Sequence, residues 1–320
     1  MIEKADGGAK AFVAMRCTRI SGLSKAILLA PLTTRTSEKA HEGLVAGKSG
    51  PSLKLARLSL SCVLAISLFS LVPAKAEEGS GADLAQQLAN PISSLISVPF
   101  QFNWDTGIGP KDADRVLLNV QPVVPFSLNE DWNLISRTIL PITYLDSTAD
   151  GVDSAFGLGD TVQSFFFSPK KPTKGGWITG FGPVLLLPTA TEDAFKSKQW
   201  GLGPTAVALR QQDGWTYGAL ANHIWGVNNP SDREKVSATF LQPFVAHTTP
   251  TAVTYTLLTE STYDWKSEQW TVPIIAAVSK LTSIGDQKVT FQIGARYYAE
   301  APDGGPDWGL RFTAFFLFPK

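Results

Sequence analysis

The chain ends in Trp308-Gly309-Leu310-Arg311-Phe312-Thr313-Ala314-Phe315-Phe316-Leu317-Phe318-Pro319-Lys320. If this stretch is a β-strand, its side chains point alternately to opposite faces. The face that starts at Trp308 is apolar along its whole length, whereas the opposite face is polar at Arg311 and Thr313 before it becomes apolar. A wholly apolar face must be covered, either by a second sheet in a soluble sandwich or by lipid around a closed barrel.

Comparable runs recur along the chain and predict its strands. They lie about 20 residues apart, farther than the roughly 8–12 residues of compact sandwiches, and this spacing fits the strands of membrane barrels. The runs are Ile96–Trp104, Arg115–Phe126, Trp132–Tyr144, Leu158–Ser168, Trp177–Leu187, Trp200–Arg210, Trp215–Trp225, Val236–Ala246, Val253–Asp264, Trp270–Lys280, Lys288–Tyr298 and Trp308–Phe318. We therefore predict an all-β fold, an antiparallel transmembrane β-barrel of about 12 strands, closed by pairing of the first run with the last.

The connections and the tryptophans also favour a membrane barrel. Short connections alternate with longer ones such as 106–113, and the short set faces the periplasm if both termini lie inside. Two connections depart from this rule, because 169–176 is long and 266–269 is short. Most of the 9 tryptophans lie at or near predicted strand ends, where the aromatic girdles of membrane proteins are found. No apolar run after residue 76 approaches the length of a spanning helix, so only a closed barrel could cross a membrane.

Prolines within the predicted strands argue against this interpretation, because proline cannot donate a hydrogen bond to a β-ladder and a closed barrel has no free edge. They are Pro122, Pro125, Pro141, Pro183, Pro204, Pro243 and Pro273. We expect bulges at these positions, or strands that are shorter than the runs. The glycines of 180–183 and 201–204 favour bulges on two neighbouring strands.

The segment Lys54–Ala76 has the layout of a secretory signal peptide. A basic edge precedes an apolar run that Pro73 ends, and Ala74 and Ala76 occupy the two positions that a signal peptidase reads. We predict cleavage after Ala76. Residues 1–53 fit no normal signal, and we interpret them as a disordered leader or an over-extended start. Residues 77–93 are an acidic, Gln-rich periplasmic lead-in, flexible or helical, and 94–320 form the barrel.

Cleavage changes the charge of the chain and removes its cysteines. Of the 28 basic and 28 acidic residues, 11 basic and 4 acidic ones precede Glu77, which leaves 17 and 24, a net charge of −7 over 244 residues. This sign disfavours a nucleic-acid partner. Cys17 and Cys62 both precede the cleavage point, so the mature chain has neither disulfides nor thiolate chemistry. A cysteine-free exported chain suits the periplasm or the outer membrane.

Several motifs resemble one bacterial family. They are Ile96-Ser97-Val98-Pro99-Phe100-Gln101, residues 119–126, Gly157-Leu158-Gly159-Asp160, Tyr263-Asp264-Trp265 and the Leu317-Phe318-Pro319-Lys320 end. The family is labelled as transporters, some under a misplaced neuromedin U name, and is related to the barrels named for a phenol meta-degradation pathway. This resemblance implies a barrel in the bacterial cell outer membrane and carries no assigned substrate or functional residue.

The chain offers little to a catalytic or metal-binding interpretation. Only His223 and His247 follow the cleavage point, and two histidines without partners at ligand spacing make a weak metal site. His223 follows Asn222, and a Ser-His-Asn set would make the barrel a lipid-acting hydrolase. A structural or girdle role for His223 is the preferred alternative, and His247 falls at a predicted turn. We expect no enzyme activity, no cofactor and no metal.

The polar faces of the strands should line the lumen, because charged side chains on the lipid face would cost about 2–4 kcal/mol each near the midplane. The residues predicted to point inward are Gln101, Asn103, Arg115, Asn119, Gln121, Arg137, Asp160, Glu260, Gln292, Arg296 and Arg311. We expect Arg137 and Arg296 to contact a small polar or anionic solute, with Asp160 or Glu260 as their partners. The partners predicted for the protein are outer-membrane lipid and this unidentified solute.

Three functions remain open at this point. The chain can be a channel or transporter for small solutes, a structural or surface-binding barrel with a plugged lumen, or a lipid-acting hydrolase. A soluble exported β protein is the alternative at the level of the fold. We favour a channel with a narrow, partly filled passage, because twelve strands enclose far less space than the 16–18 of general porins.

Overall fold

The computed structural model of the protein describes residues 80–228, 230 and 232–319. The predicted leader 1–53 and the signal peptide 54–76, with Ala74 and Ala76 at its cleavage site, lie outside the described residues. The described part of the lead-in, residues 80–93, begins with helix α1 (Ser80–Leu88).

Fifteen strand segments follow α1 in the described part of the chain. They are β1 (Ile96–Ile108), β2 (Ala113–Val120), β3 (Val123–Ser127), β4 (Trp132–Leu145), β5 (Ala155–Leu158), β6 (Thr161–Pro169), β7 (Trp177–Leu187), β8 (Gly201–Gln212), β9 (Trp215–Gly226), β10 (Ser237–Thr248), β11 (Val253–Thr259), β12 (Ser261–Asp264), β13 (Gln269–Ile284), β14 (Gln287–Glu300) and β15 (Trp308–Phe318).

These segments form a closed barrel of twelve antiparallel strands, because β2 with β3, β5 with β6 and β11 with β12 are each one interrupted strand. Every strand pairs with its neighbours in the sequence. The last strand pairs with the first from Ile96 opposite Phe318 to Thr106 opposite Trp308, which closes the sheet. The predicted strand number and the predicted closing pair are confirmed, and a sandwich is excluded.

Prolines account for several irregularities in this sheet. The break between β2 and β3 contains Pro122, the break between β5 and β6 lies opposite Pro141, and β13 shifts register at Pro273. Pro183 and Pro204 lie opposite each other, and the ladders from β7 to β6 and from β8 to β9 are interrupted beside them. Because proline has no N–H, the ladder bond on that side of the strand cannot form. The expected bulges and shortened strands are thus found.

The two ends of the barrel differ in their connections. At the terminal end, where β1 begins and β15 ends, the connections are 128–131, 170–176, 213–214, 249–252 and 285–286. At the opposite end, the loop end, they are 109–112, 146–154, 188–200, 227–236, 265–268 and 301–307. The expected long connection 106–113 is wrong, because β1 continues to Ile108 and leaves only 109–112 as a turn.

The outer surface carries an apolar band between two aromatic girdles. Phe102, Ile293 and Phe312 are large apolar side chains that remain exposed at mid-barrel. Three tryptophans lie at the terminal end and six at the loop end, and they are Trp132, Trp177 and Trp215, then Trp104, Trp200, Trp225, Trp265, Trp270 and Trp308. An exposed apolar band with aromatic edges on a closed barrel is the surface that lipid covers. The chain is therefore an outer-membrane β-barrel.

No helix within residues 80–228, 230 and 232–319 combines the length and the apolar character that crossing a membrane requires.

The lead-in turns into the barrel at its terminal end. Helix α1 packs with Ala85 and Leu88 against Leu281 and Leu317 of the inner wall. Farther along, Ile92 enters a buried cluster of Ile135, Phe166, Val207, Leu209 and Leu220, which come from four other strands. Since these two contacts lie on different parts of the wall, the lead-in crosses the terminal mouth of the barrel.

Candidate functional site in the lumen

The pairing of the strands shows which residues face the lumen. Along β1, Ser97, Asn103 and Asp105 are buried while Phe100 and Phe102 between them are exposed. Residues paired with the buried set share its face, since side chains directly opposite each other lie on the same side of a sheet.

All eleven residues predicted to line the lumen occupy this inward face or a strand break next to it. The structure places Gln101 and Asn103 on β1, Arg115 and Asn119 on β2, Gln121 at the β2–β3 break, Arg137 on β4, Asp160 at the β5–β6 break, Glu260 at the β11–β12 break, Gln292 and Arg296 on β14, and Arg311 on β15. Their contacts divide them into separate groups.

The first group joins Arg311 on β15 to Glu260, which lies three strands away at the β11–β12 break. The guanidinium donates to both carboxylate oxygens, at 2.9 Å from Nη1 to Oε1 and 2.7 Å from Nη2 to Oε2. Its Nε donates to Asn103 Oδ1 at 2.8 Å. Two parallel bonds from a buried guanidinium to one carboxylate form the strongest geometry available to this pair. Arg311 is therefore neutralised and held in place.

The second group is built on Asp105, which is fully buried. Arg115 Nη2 donates to Asp105 Oδ2 at 2.9 Å, and Arg296 Nη1 lies 2.9 Å from Asp105 Oδ1. Arg296 Nη2 also donates to the hydroxyl of Tyr298 at 2.9 Å. One carboxylate thus serves two guanidinium groups, so this group keeps a net charge of +1.

Arg137 differs from the other three arginines in having no carboxylate partner among the described residues. Its Nη2 donates to Gln121 Oε1 at 3.2 Å. Together Arg115, Arg137, Arg296 and Arg311 face two carboxylates, those of Asp105 and Glu260. We call these six residues the arginine belt, and its net charge is +2.

The expected partner of Arg296 is wrong. Arg296 pairs with Asp105, not with Asp160 or Glu260. Asp160 accepts the backbone N–H groups of Ala190 and Ser197, at 3.0 and 2.8 Å, and so anchors the loop 188–200. Which charges meet depends on the register between strands that are not neighbours in the barrel. The sequence of a single strand does not determine that register.

Sequence reasoning missed Asp105 and Tyr298. Asp105 continues the alternation of Gln101 and Asn103, but the predicted first strand stopped at Trp104, whereas β1 continues to Ile108. Tyr298 lies two residues after Arg296 and therefore on the same face. Extending the alternation of the first run by one residue would have found Asp105, and following it to the last residue of the run Lys288–Tyr298 would have found Tyr298.

A cavity of about 180 Å³ lies in the lumen between the lead-in and the arginine belt. The lead-in contributes Leu88, Ala89, Asn90, Pro91 and Ser93 to its wall. The barrel contributes the side chains of Arg137, Glu260 and Arg311, together with apolar groups. The belt and the lead-in thus define a chamber lined by charged and apolar groups.

Both histidines lie on the outward face. His223 Nδ1 shares a hydrogen bond of 2.7 Å with Thr239 Oγ1, and its ring lies 4.2 Å from that of Trp225. His247 lies within β10, not at a turn as expected, and its ring is 4.6 Å from that of Trp215. These contacts place both rings in the aromatic girdles. Within the described residues, no group of three or more His, Cys, Asp or Glu side chains is arranged to hold a metal ion.

The fold and its lumen define an outer-membrane β-barrel with a charged interior. Its sequence belongs to the family described as "Putative MetA-pathway of phenol degradation", whose model matches residues 112–320. The family expected from the sequence motifs is thereby confirmed. No curated protein matches the sequence.

Solved structures share the barrel at low sequence identity. An outer membrane channel from Pseudomonas putida F1 is 14% identical with a TM-score of 0.55, over 70% of this chain and 96% of that one. The β domain of the Bordetella autotransporter BrkA is 11% identical with a TM-score of 0.42, over 71% and 100%. Outer membrane phospholipase A from Escherichia coli is 11% identical with a TM-score of 0.41, over 74% and 98%. The first of these shows that the fold is shared.

Proposed function

We propose that the protein is an outer-membrane channel for small solutes and that its arginine belt favours anions. The observation that carries the proposal is the net charge of +2 on a belt inside a narrow closed barrel. Charged rings in a pore select permeating ions by sign. The lumen is less screened than bulk water, so two uncompensated charges act strongly on an ion that passes them.

The paired members of the belt set the width of the passage, and the unpaired charge sets its preference. Arg311 and Glu260 pair inside the lumen from strands three positions apart, and Arg115 and Arg296 are fixed on Asp105. Arg137 keeps most of its donors available to a solute. The solute class that fits is therefore small, polar and anionic. The Pseudomonas putida structure with the same fold is an outer membrane channel, which supports the same proposal for this chain.

Ion selectivity in planar bilayers tests the proposal. The reversal potential in a KCl gradient should show chloride preference for the wild-type protein. Arg137→Ala and Arg296→Ala should each reduce it, because each removes one positive charge, and Glu260→Gln should increase it, because it removes a negative one. All three effects should weaken between 0.1 and 1 M KCl, since the screening length falls from about 10 to about 3 Å.

The control is Arg210→Gln, which removes a guanidinium that bonds Gln212 near the terminal end and faces outward. It should leave the reversal potential unchanged. Unchanged conductance and ion preference in both arginine-to-alanine variants would show that these arginines have only a structural role. A wild-type barrel that inserts but never conducts would replace the channel with a structural or surface-binding barrel whose lumen is plugged.

A further inference from the structure

The cavity between the lead-in and the belt is lined by both polar and apolar side chains. Its polar lining includes Arg137, Gln121, Gln292, Glu260 and Arg311, and its apolar lining includes Phe244 and Leu258. A passage that conducts only hydrated ions needs no apolar lining. A chamber lined by charged and apolar groups matches a solute that carries both kinds of group.

Arg137 is the charged group in this lining that remains available for a ligand. A guanidinium has five N–H donors in a planar fork, and Arg137 uses one on the amide oxygen of Gln121. Arg311 lines the same cavity, but its guanidinium donates hydrogen bonds to Glu260 and Asn103. Glu260 lines the same cavity but is already bonded by Arg311. Arg137 forms no ion pair within the described residues, and a carboxylate matches the fork geometry of its remaining donors.

The size of the cavity limits the rest of the ligand. An apolar cavity of about 150 Å³ in another protein takes up one benzene molecule. The space here, about 180 Å³, therefore holds one six-membered ring or an aliphatic body of that volume together with a carboxylate. Longer chains or fused rings would have to displace Leu88 and its neighbours in the lead-in.

We propose that this chamber is a binding site for small organic monocarboxylates with an apolar body of about one ring, held by Arg137 through the carboxylate and by Phe244 and Leu258 through the body. The site rests on the proposed function in one respect, since it names the solute class that the channel passes. Binding itself can be measured without transport.

Calorimetry on the full chain in detergent tests the site with three probes. Benzoate supplies both the carboxylate and the ring, benzyl alcohol supplies the ring without the charge, and acetate supplies the charge without the ring. Wild-type protein should bind benzoate about 10- to 100-fold more tightly than benzyl alcohol, which is the range expected for hydrogen bonds to a charged group. Benzoate should also bind more tightly than acetate.

Two variants and one control distinguish the contribution of the charged group from that of the apolar groups. Arg137→Gln should lose the advantage of benzoate over benzyl alcohol, Leu258→Ala should lose the advantage of benzoate over acetate, and Arg210→Gln should behave as wild type. Heat-modifiable migration on a gel verifies that each variant is folded. Equal affinity for benzoate and benzyl alcohol in the wild-type protein, or an unaltered preference in Arg137→Gln, would overturn the site.

The same protein in bilayers distinguishes this failure from failure of the channel itself. Chloride conductance with no preference for benzoate in calorimetry would overturn the carboxylate site and leave the channel standing. Benzoate binding that depends on Arg137, in a barrel that never conducts, would overturn the channel and leave the site standing.

Discussion

The lead-in should control the terminal mouth of the barrel, and Ile92 is the residue that tests this. Its side chain is only 4% exposed and packs among residues of four strands of the inner wall. Replacing a buried Ile with Ala costs about 2–5 kcal/mol. Because about 1.4 kcal/mol corresponds to a tenfold change in an equilibrium constant, Ile92→Ala should raise the undocked fraction of the lead-in about 30- to 4,000-fold.

An engineered disulfide should have the opposite effect. A Cβ at Gly81 would lie 3.8 Å from Cβ of Ala252, and the Cβ atoms of a disulfide are about 3.8 Å apart on average. Gly81→Cys combined with Ala252→Cys would therefore tie the start of α1 to the turn 249–252 without moving the backbone. The only native cysteines, Cys17 and Cys62, precede the predicted cleavage site, so the new pair should have no competing thiol.

Single-channel recording measures both perturbations. Ile92→Ala should increase the open fraction of the channel, and the oxidised double-cysteine variant should reduce it until dithiothreitol restores it. Ile293→Ala is the matched control, because it removes the same atoms from a lipid-facing position that is 49% exposed. Identical traces from wild type, Ile92→Ala and the oxidised variant would show that the lead-in does not obstruct the passage.

Two further predictions concern the outer wall and the loops. Phe312→Arg places a charge near the middle of the lipid-facing band and should destabilise the barrel by about 2–4 kcal/mol in urea unfolding from vesicles; Phe312→Leu is the control, and equal losses in both would contradict the orientation of β15. The hydrogen bond from Lys198 holds the pKa of Asp232 below its usual value. The link between the loops 188–200 and 227–236 should therefore be intact above about pH 4, the ordinary range of Asp, and be lost as the pH falls through the lowered pKa. Protease sensitivity of these loops should rise with acidification in the wild-type protein and stay constant in Asp232→Asn.

The orientation of the side chains could be predicted because it is a local property of each strand. Alternation alone assigned Arg311 and Thr313 to the lumen and Phe312 to lipid, and the burial along β15 has the same pattern. The same rule applied to a strand drawn too short left Asp105 out of the predicted lumen. Alternation within a strand therefore predicts which side chains face the lumen, but it does not determine where the strand begins and ends.

The pairing of charges and the path of the lead-in could not be predicted, because both depend on contacts between distant segments. Arg296 meets Asp105 across 191 residues of sequence, and Arg311 meets Glu260 across 51. Ile92 is flanked by Asn90, Pro91, Ser93 and Ser94, and this neighbourhood does not suggest burial. Only the closed barrel supplies the pocket of Ile135 and Leu220 that receives it.

The prolines, which count against a barrel in the sequence, help to position its polar interior. Each of the three interrupted strands carries one predicted lumen residue at its break, namely Gln121, Asp160 or Glu260. A local interruption bends the strand and redirects a side chain.

At each break one backbone N–H still finds an acceptor on the neighbouring strand, which limits the cost of the interruption. Gln121 N–H donates to the carbonyl of Pro99 at 2.9 Å, and Gly159 N–H donates to that of Pro141 at 2.9 Å. Glu260 N–H donates to the carbonyl of Pro273 at 3.3 Å. In each case the acceptor is a proline on the neighbouring strand, which lacks a donor but keeps its carbonyl. The prolines beside these breaks thus accept hydrogen bonds from the interrupted strands. Each break leaves a carboxylate or an amide side chain beside the passage.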